Sequence, residues 1–448
     1  MSKEFQVAYI PIGVGTFHLE SAQKEFEKSC KLISESTTNA VLPKEMLLSI
    51  DLLNGFLNEI NPDLIILQNI TFANAAYASE VLRRFDCPIL LWTLREPVID
   101  GGRLRLNSLT GAYSAANAFK AFRKEPLEYI FGAPEEEEVV CKVKAAIKAA
   151  QLKYQMKSLK VAAVGHTPQG FGFGRAMDLE MMETFGATLE SIEARELIDK
   201  AKAFSDDEIE EYLKDASNRT VGLENTPENN RKDFARLYRA YKEYVDENNI
   251  GALASRCWPD FFTAFGTPVC LVLAMLNDLD VAASCEADTY GALSMYLGMQ
   301  LTGMPTFFGD PVSMDEKENT VTFWHCGTAA CSLARKDTGA KIDVHCNRKI
   351  GPTLDFGCKE AEHVTIFRIG KKPDGSFRFL LAEGKALDRP KQFNGTSLVV
   401  ETKTNAKEFV YSSVEAGYEP HFVVAYGNVA DELEILGHFL NIEVDRYE

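Results

Sequence analysis

Short apolar runs alternate with amphipathic stretches through the first third of the chain. FQVAYIPIG (5–13), DLIILQNI (63–70) and CPILLWTL (87–94) are continuous apolar runs, as buried strands are. ESAQKEFEKSCKLISES (20–36) and AAYASEVLRRF (75–85) carry helical spacing. Such alternation predicts βαβ units and a parallel sheet. EEEEVVCKVKAAIKAAQLKYQMKSL (135–159) has an acidic start and a basic end, which suits a helix macrodipole, and reads as a connecting helix. A second βα series follows: KVAAVG (160–165), the helix RAMDLEMMETFG (175–186), IGALASRCW (250–258), TPVCLVLAMLND (267–278) and DVAASCEAD (280–288).

The texture changes after residue 310. TVTFWHCGT, AKIDVHC, HVTIFRIG, FRFLLAEGKAL and TSLVVETK are strand-like, with turns at PDG (373–375) and NG (394–395). Helical patterning returns only in VADELEILGHFLNIE (429–443). The expected fold class is α/β. Two tandem Rossmann-like parallel-sheet domains, 1–157 and 158–308, precede a mainly antiparallel β domain with a terminal helix, 309–448.

Composition narrows the function. A net charge of −17 argues against a nucleic-acid partner, which needs clustered Lys and Arg, and against an anionic membrane surface. MSKEFQVAYIPIG lacks the charged and apolar regions of a signal peptide, and PVCLVLAML (268–276) is too short to span a bilayer. A cytoplasmic protein is expected. The ten cysteines form no CxxC pair and read as free thiols rather than a disulfide frame, a zinc site or a catalytic nucleophile.

Candidate chemistry lies where acids and imidazoles abut apolar runs. Glu286 and Asp288 follow LDVAASC, Asp310 closes MPTFFGD at the entry to a turn, His325 ends TVTFW, and His421 begins HFVVAYG. Carboxylates and imidazoles at strand ends form an O/N donor set suited to Mn²⁺, Mg²⁺, Co²⁺ or Fe²⁺. A metal accounts for acids against apolar strands, because buried charges must be paired or coordinate ions. Asp288 is a candidate for substrate binding or for support behind the ligands, and its plainer role is a helix N-cap before TYGALSMYLGMQL. Arg256 and Trp258 in SRCWPDFF follow a strand and are substrate-binding candidates, Arg256 for a hydroxyl or anionic group and Trp258 by stacking; packing is the plainer role for Trp258. The Gly-rich HTPQGFGFGR (166–175) lacks the GxGxxG spacing of a dinucleotide site and reads as a tight turn.

The pattern CEAD-x21-D-x14-H, with PHFVVAYGNVADELEILGHFLNIE near the end, resembles the L-fucose isomerase and L-arabinose isomerase superfamily. The metal-binding Glu and Asp of L-fucose isomerase are 24 positions apart, as are Glu286 and Asp310. His421 matches that family's last metal ligand, ahead of Tyr426 and Gly427, and His325 matches the HCG ligand of the arabinose branch. The resemblance implies a metal-dependent aldose–ketose isomerase working through an enediolate, with Mn²⁺ as cofactor. Glu286 and Asp310 become catalytic residues and ligands, and His421 and His325 further ligands. It also implies a homo-oligomer, a hexamer or related assembly, in which the first domain completes a neighbouring subunit's site; His18, Trp92 and Asn107 at first-domain strand ends are substrate-binding candidates on that ground. The chain is shorter than either named enzyme, which leaves the substrate open. An anionic sugar such as sulfoquinovose is one alternative, with Arg95, Arg103, Arg105 and Arg256 as partners for it, and a non-catalytic sugar-binding protein is another.

Overall fold

The computed structural model describes residues 4–448. The first three residues of the amino-terminal segment read above lie outside the described residues. The chain divides into two compact units: one holds the chain through Gln155 together with Asp431–Ile442, the other Met156–Ala430 together with Glu443–Glu448.

In the first unit the strands lie parallel in the order Ala40–Val41, Val7–Ile12, Leu64–Asn69, Ile89–Thr93, Glu128–Phe131. Three of them are buried along their whole length, which is why they read as unbroken apolar runs. The helices Ile50–Leu57, Ala75–Arg84 and Ser108–Phe122 pack on this sheet around Leu53, Val81 and Phe119. The late helix Ala430–Phe439 belongs here too: Glu432 meets Lys148 at 3.0 Å, and His438 meets Glu128.

The second unit contains two large sheets and a two-stranded one that pairs Ile342–Asp343 with Thr353–Leu354. A parallel one runs Thr188–Ile192, Lys160–Val164, Ala252–Ser255, Ala282–Cys285. Both parallel sheets thus place their second strand outside the first and grow the other way from the third, so each has a switch point beside its first strand. Ligands in open α/β sheets bind outside the carboxyl ends of the strands near such points. The other large sheet has eight strands, in the order Phe356–Gly357, Thr396–Thr402, Thr320–His325, Phe307–Asp315, Phe422–Ala425, Ala361–Lys371, Phe377–Ala386, Glu443–Tyr447. Its pairings are antiparallel except at the two outermost strands.

The helix Thr289–Thr302 touches both large sheets of this unit. It is apolar almost all round, as a helix buried on every side must be. Its Gly291 has no room for a side chain: a Cβ there would lie 2.5 Å from the Phe308 ring and 2.9 Å from the Asp288 carboxyl. The helix therefore sits hard against the strand that carries Asp310.

Two expectations need correction. Asp310 does not enter a turn. It lies inside the strand Phe307–Asp315, opposite Trp324, just before a register shift between Pro311 and Ser313. The final 140 residues also hold more than one helix, since Ala406–Glu415 precedes Ala430–Phe439, and the chain ends on the strand Glu443–Tyr447.

Candidate active site

Four residues separated by up to 135 positions meet at the carboxyl edge of the second unit's parallel sheet. Glu286 follows the strand Ala282–Cys285, and His421 precedes the strand Phe422–Ala425. His421 Nε2 lies 2.9 Å from Glu286 Oε2 and 3.6 Å from Asp310 Oδ1. Glu286, His325 and His421 bring one donor atom each within 4.8 Å of one another.

The backbone is bent to deliver them. Glu286, Ala287 and His421 have φ of 58°, 55° and 73°, a left-handed conformation that side chains other than glycine rarely adopt. Each such residue costs about 1–3 kcal/mol and persists only where its surroundings over-determine it. Here the Ala287 N–H donates to Ser255 O at 3.0 Å and the Asp288 N–H to Cys285 O at 3.2 Å. The His421 carbonyl accepts from Arg368 at 3.3 Å.

Asp288 is the hinge of this arrangement. Its carboxylate caps the helix Thr289–Thr302 by accepting from the Gly291 N–H at 2.8 Å. The same carboxylate takes two bonds from the fully buried Arg368 guanidinium, at 2.6 and 3.2 Å, and lies 3.0 Å from His421 Nδ1. With Nδ1–H committed to Asp288, His421 turns Nε2 toward Glu286 and Asp310. A carboxylate behind an imidazole in this way orients metal-binding histidines. Trp258 acts similarly on Glu286, donating from Nε1 to Oε1 at 3.0 Å. Arg256 donates to the Trp258 carbonyl at 3.2 Å and pairs with Asp260.

Aromatic rings exclude water around the imidazoles. Phe308 lies 4.8 Å from the His421 ring, and Phe171 and Phe173 lie 6.0 and 5.7 Å from it. Both phenylalanines come from the Gly-rich turn. Its Gly174 approaches so closely that a Cβ would stand 2.7 Å from Asp288 Cα. That turn therefore builds a wall of the site and holds no dinucleotide signature. On the other side, a cavity of about 470 Å³ opens at Asp310, walled by Val312, Phe409, Val410, Val414, Tyr418 and Phe422.

Burial alone would raise the Glu286 carboxyl, but the His421 hydrogen bond, the charges of His325 and His421, and Trp258 hold it below its ordinary value. Burial acts against Asp288 too, and Arg368 and His421 hold it well below the carboxylate range. Burial opposes charging the imidazoles, yet Asp288, Glu286 and Asp310 raise His421, while Cys326, Asp310 and Glu286 push His325 up to about 10. Two carboxylates and two imidazoles with one carboxylate–histidine support form a donor set that fits a divalent cation of the Mn²⁺, Fe²⁺ or Co²⁺ kind.

Of the other residues singled out in the sequence, His18, Trp92 and Asn107 belong to the first unit. His18 caps the helix Leu19–Ser36 by accepting from Ser21 N–H. Trp92 is fully enclosed and donates to the Gly132 carbonyl at 3.0 Å, which leaves no ring face for a sugar. Asn107 holds a left-handed turn before the helix Ser108–Phe122 and accepts from Thr110 Oγ at 2.7 Å. Arg368, Phe171, Phe173 and Phe308 were not singled out. Only Arg368 carried a signal, a cation set among apolar residues in HVTIFRIG.

Comparisons with known proteins place the chain in a family. The family described as L-fucose isomerase, C-terminal domain, matches residues 325–448. The chain is 64% identical over 445 residues to the sulfoquinovose isomerase of Clostridium sp. (strain MSTE9), covering 99% of this chain and 100% of that one. It is 37% identical to the sulfoquinovose isomerase of Priestia aryabhattai and 35% to that of Alkalicoccus urumqiensis, each over 445 residues and 99% of the relative. Fold and relatives define an aldose–ketose isomerase of the L-fucose isomerase type, so the reading as a non-catalytic binding protein falls away. The chain belongs to the sulfoquinovose isomerase family within that group. Among the described residues no helix is long and apolar enough to cross a membrane.

Two predictions come from the electrostatics. Arg368→Met leaves Asp288 buried and unpaired and should cost about 3–5 kcal/mol, read as a lower urea midpoint. Adding Asp288→Asn should recover much of that loss. The second concerns pH in chelator-treated protein. Glu286 and Asp288 are lowered, so their contribution is present above the unfolded values near 4 and lost as pH falls. His325 and His421 are raised, so theirs is full below 6.5 and lost as pH rises, through about 10 for His325. Thermal melts should peak between those limits, and Glu286→Gln should flatten the alkaline decline.

Proposed function

We propose that this chain is a metal-dependent isomerase that interconverts sulfoquinovose and its ketose through an enediolate. The observation that carries the reading is the meeting of Glu286, His325 and His421 donor atoms within 4.8 Å, with Asp310 beside them. The substrate is taken from the relatives' names, which agree over essentially the full length.

Glu286, Asp310, His325 and His421 would hold the divalent ion, with Mn²⁺ favoured by the oxygen and nitrogen donors. Bound there, it supplies Lewis-acid polarisation of the sugar carbonyl and stabilisation of the enediolate charge. The chain's own residues do the rest. Glu286 and Asp310 take the proton from one carbon of the C1–C2 unit and return it to the other, a role worth about 10²–10⁴-fold for each positioned acid or base. Trp258 fixes the Glu286 carboxylate, and Asp288 fixes the His421 ring. Phe171, Phe173 and Phe308 form an apolar wall beside the His421 ring. The cavity at Asp310 has room for a hexose, since ligand pockets span about 300–1,000 Å³.

A sulfonate needs a cation, and the cavity walls carry no basic side chain. Arg95, Arg105 and Arg256 pair with Glu136, Asp100 and Asp260. Among the described residues Arg103 meets no carboxylate; it donates to the Thr16 carbonyl. Arg103 is our candidate for the sulfonate, in an oligomer where the first unit serves a neighbouring subunit.

The direct test is solvent deuterium incorporation at C2, followed by NMR with Mn²⁺ and a panel of sulfoquinovose, glucose, L-fucose and L-arabinose. Exchange with sulfoquinovose, lost on chelation, is expected; exchange with none of them would sink the reading. Asp310→Asn should lower kcat by about 10²–10⁴-fold, and Glu286→Gln should abolish exchange with the fold intact. Arg103→Ala should raise KM for sulfoquinovose and leave kcat nearly unchanged.

A further inference from the structure

Three thiols stand directly behind the residues just described. Cys285 precedes Glu286, Cys326 follows His325, and Cys270 opens the helix Cys270–Asn277. Their sulfur atoms all lie within 4.8 Å of one another. Cys270 Sγ and Cys326 Sγ are 3.6 Å apart. Cys270 and Cys285 are fully buried and Cys326 is 9% exposed.

The separations decide what such a cluster is suited to. A disulfide needs sulfurs about 2.05 Å apart, which this spacing exceeds. Two thiolates sharing one ion at about 2.3 Å each are held about 3.8 Å apart in tetrahedral geometry, close to the 3.6 Å seen here. The donors are all sulfur, which selects soft ions, whereas the oxygen and nitrogen donors of the sugar site select harder ones.

We propose that Cys270, Cys285 and Cys326 form a second metal site, for a soft thiophilic d¹⁰ cation such as Zn²⁺, Cd²⁺ or Cu⁺. Loading replaces the three thiol protons by one ion, with no change of oxidation state. The ion ties together a helix start and the two strand ends that deliver Glu286 and His325. It is a structural site behind the sugar site, and it stands whether or not the proposed substrate is correct. Sequence spacing concealed it, because the three thiols come from three separate elements.

The test uses the full chain, purified anaerobically under reducing conditions, stripped with chelator and titrated with Cd²⁺ alone. A thiolate-to-cadmium charge-transfer band in the ultraviolet should saturate at one ion per chain, with three thiols protected from a thiol reagent and a raised melting temperature. Glu286→Gln should keep the band, while Cys270→Ala and Cys285→Ser should each lose it and keep a folded far-ultraviolet spectrum. The proposal is overturned if the wild-type protein shows no band, so that the thiols are only packed apolar groups. It is equally overturned if the band survives both cysteine changes or disappears in Glu286→Gln. The wild-type titration decides even where a cysteine variant does not fold.

Discussion

A guanidinium with no exposed surface, Arg368, faces a carboxylate, Asp288, that is almost as deeply buried. Two opposite charges taken out of water cost several kcal/mol each unless geometry repays it. Here the repayment is spread over three functions of one carboxylate: it holds Arg368 through both oxygens, caps a buried helix, and turns His421. Arg368 adds a bond to the His421 carbonyl, where the backbone is left-handed. The pair therefore joins a helix, a strand end and an imidazole that no local sequence preference would bring together. A purely apolar replacement would pack as well, but it would leave the His421 ring free to rotate.

The same economy explains the strained residues. Glu286 and Ala287 sit where a strand must hand over to a helix within three residues while an acid is turned sideways out of the sheet. Backbone bonds to Ser255 and Cys285 close that turn from beneath. Gly174 closes on Asp288 from outside, so the bend is set by its neighbours rather than by its own residues. Rigidity of this sort suits a site where a proton must pass between fixed carbons, because a shift of about 1 Å can cost about a hundredfold in rate.

Much of the fold was legible because burial writes itself plainly into parallel strands. Val7–Ile12 and Leu64–Asn69 are buried at every position, and their apolar runs say so. The helix Ala406–Glu415 was not seen, because its apolar positions directly follow a strand-like run and half of its surface is polar. Glu286 and His421 stood out because each polar residue abuts an apolar strand. Asp310 also stood out, but its place inside a strand did not, since the register shift after it leaves no mark in a single sequence. The Gly-rich turn read correctly as a turn, yet the aromatic wall it builds depends on a partner, Asp288, more than a hundred residues later. Long-range pairing, as of Arg368 with Asp288 across 80 positions, is what one sequence conveys least.

Charge counting connects these features. Glu286 and Asp288 bring two largely buried negative charges together with the partly exposed Asp310, and Arg368 supplies one positive charge. Two negative charges remain, with His325 and His421 as the only other ionisable groups in contact with them among the described residues. Protonating both imidazoles balances the region: Asp288, Glu286 and Asp310 push His421 upward, and Cys326 joins Asp310 and Glu286 in raising His325. A single divalent cation balances it equally, with both imidazoles neutral and their lone pairs turned inward. The two states are electrostatically interchangeable, so cation binding, as proposed above, would be linked to proton release through the same four side chains. A monovalent ion would leave one charge uncompensated, and a site of neutral amides would need no ion at all. The arrangement of three acids, one arginine and two histidines thus fits a doubly charged occupant on charge alone, before any preference among metals is considered.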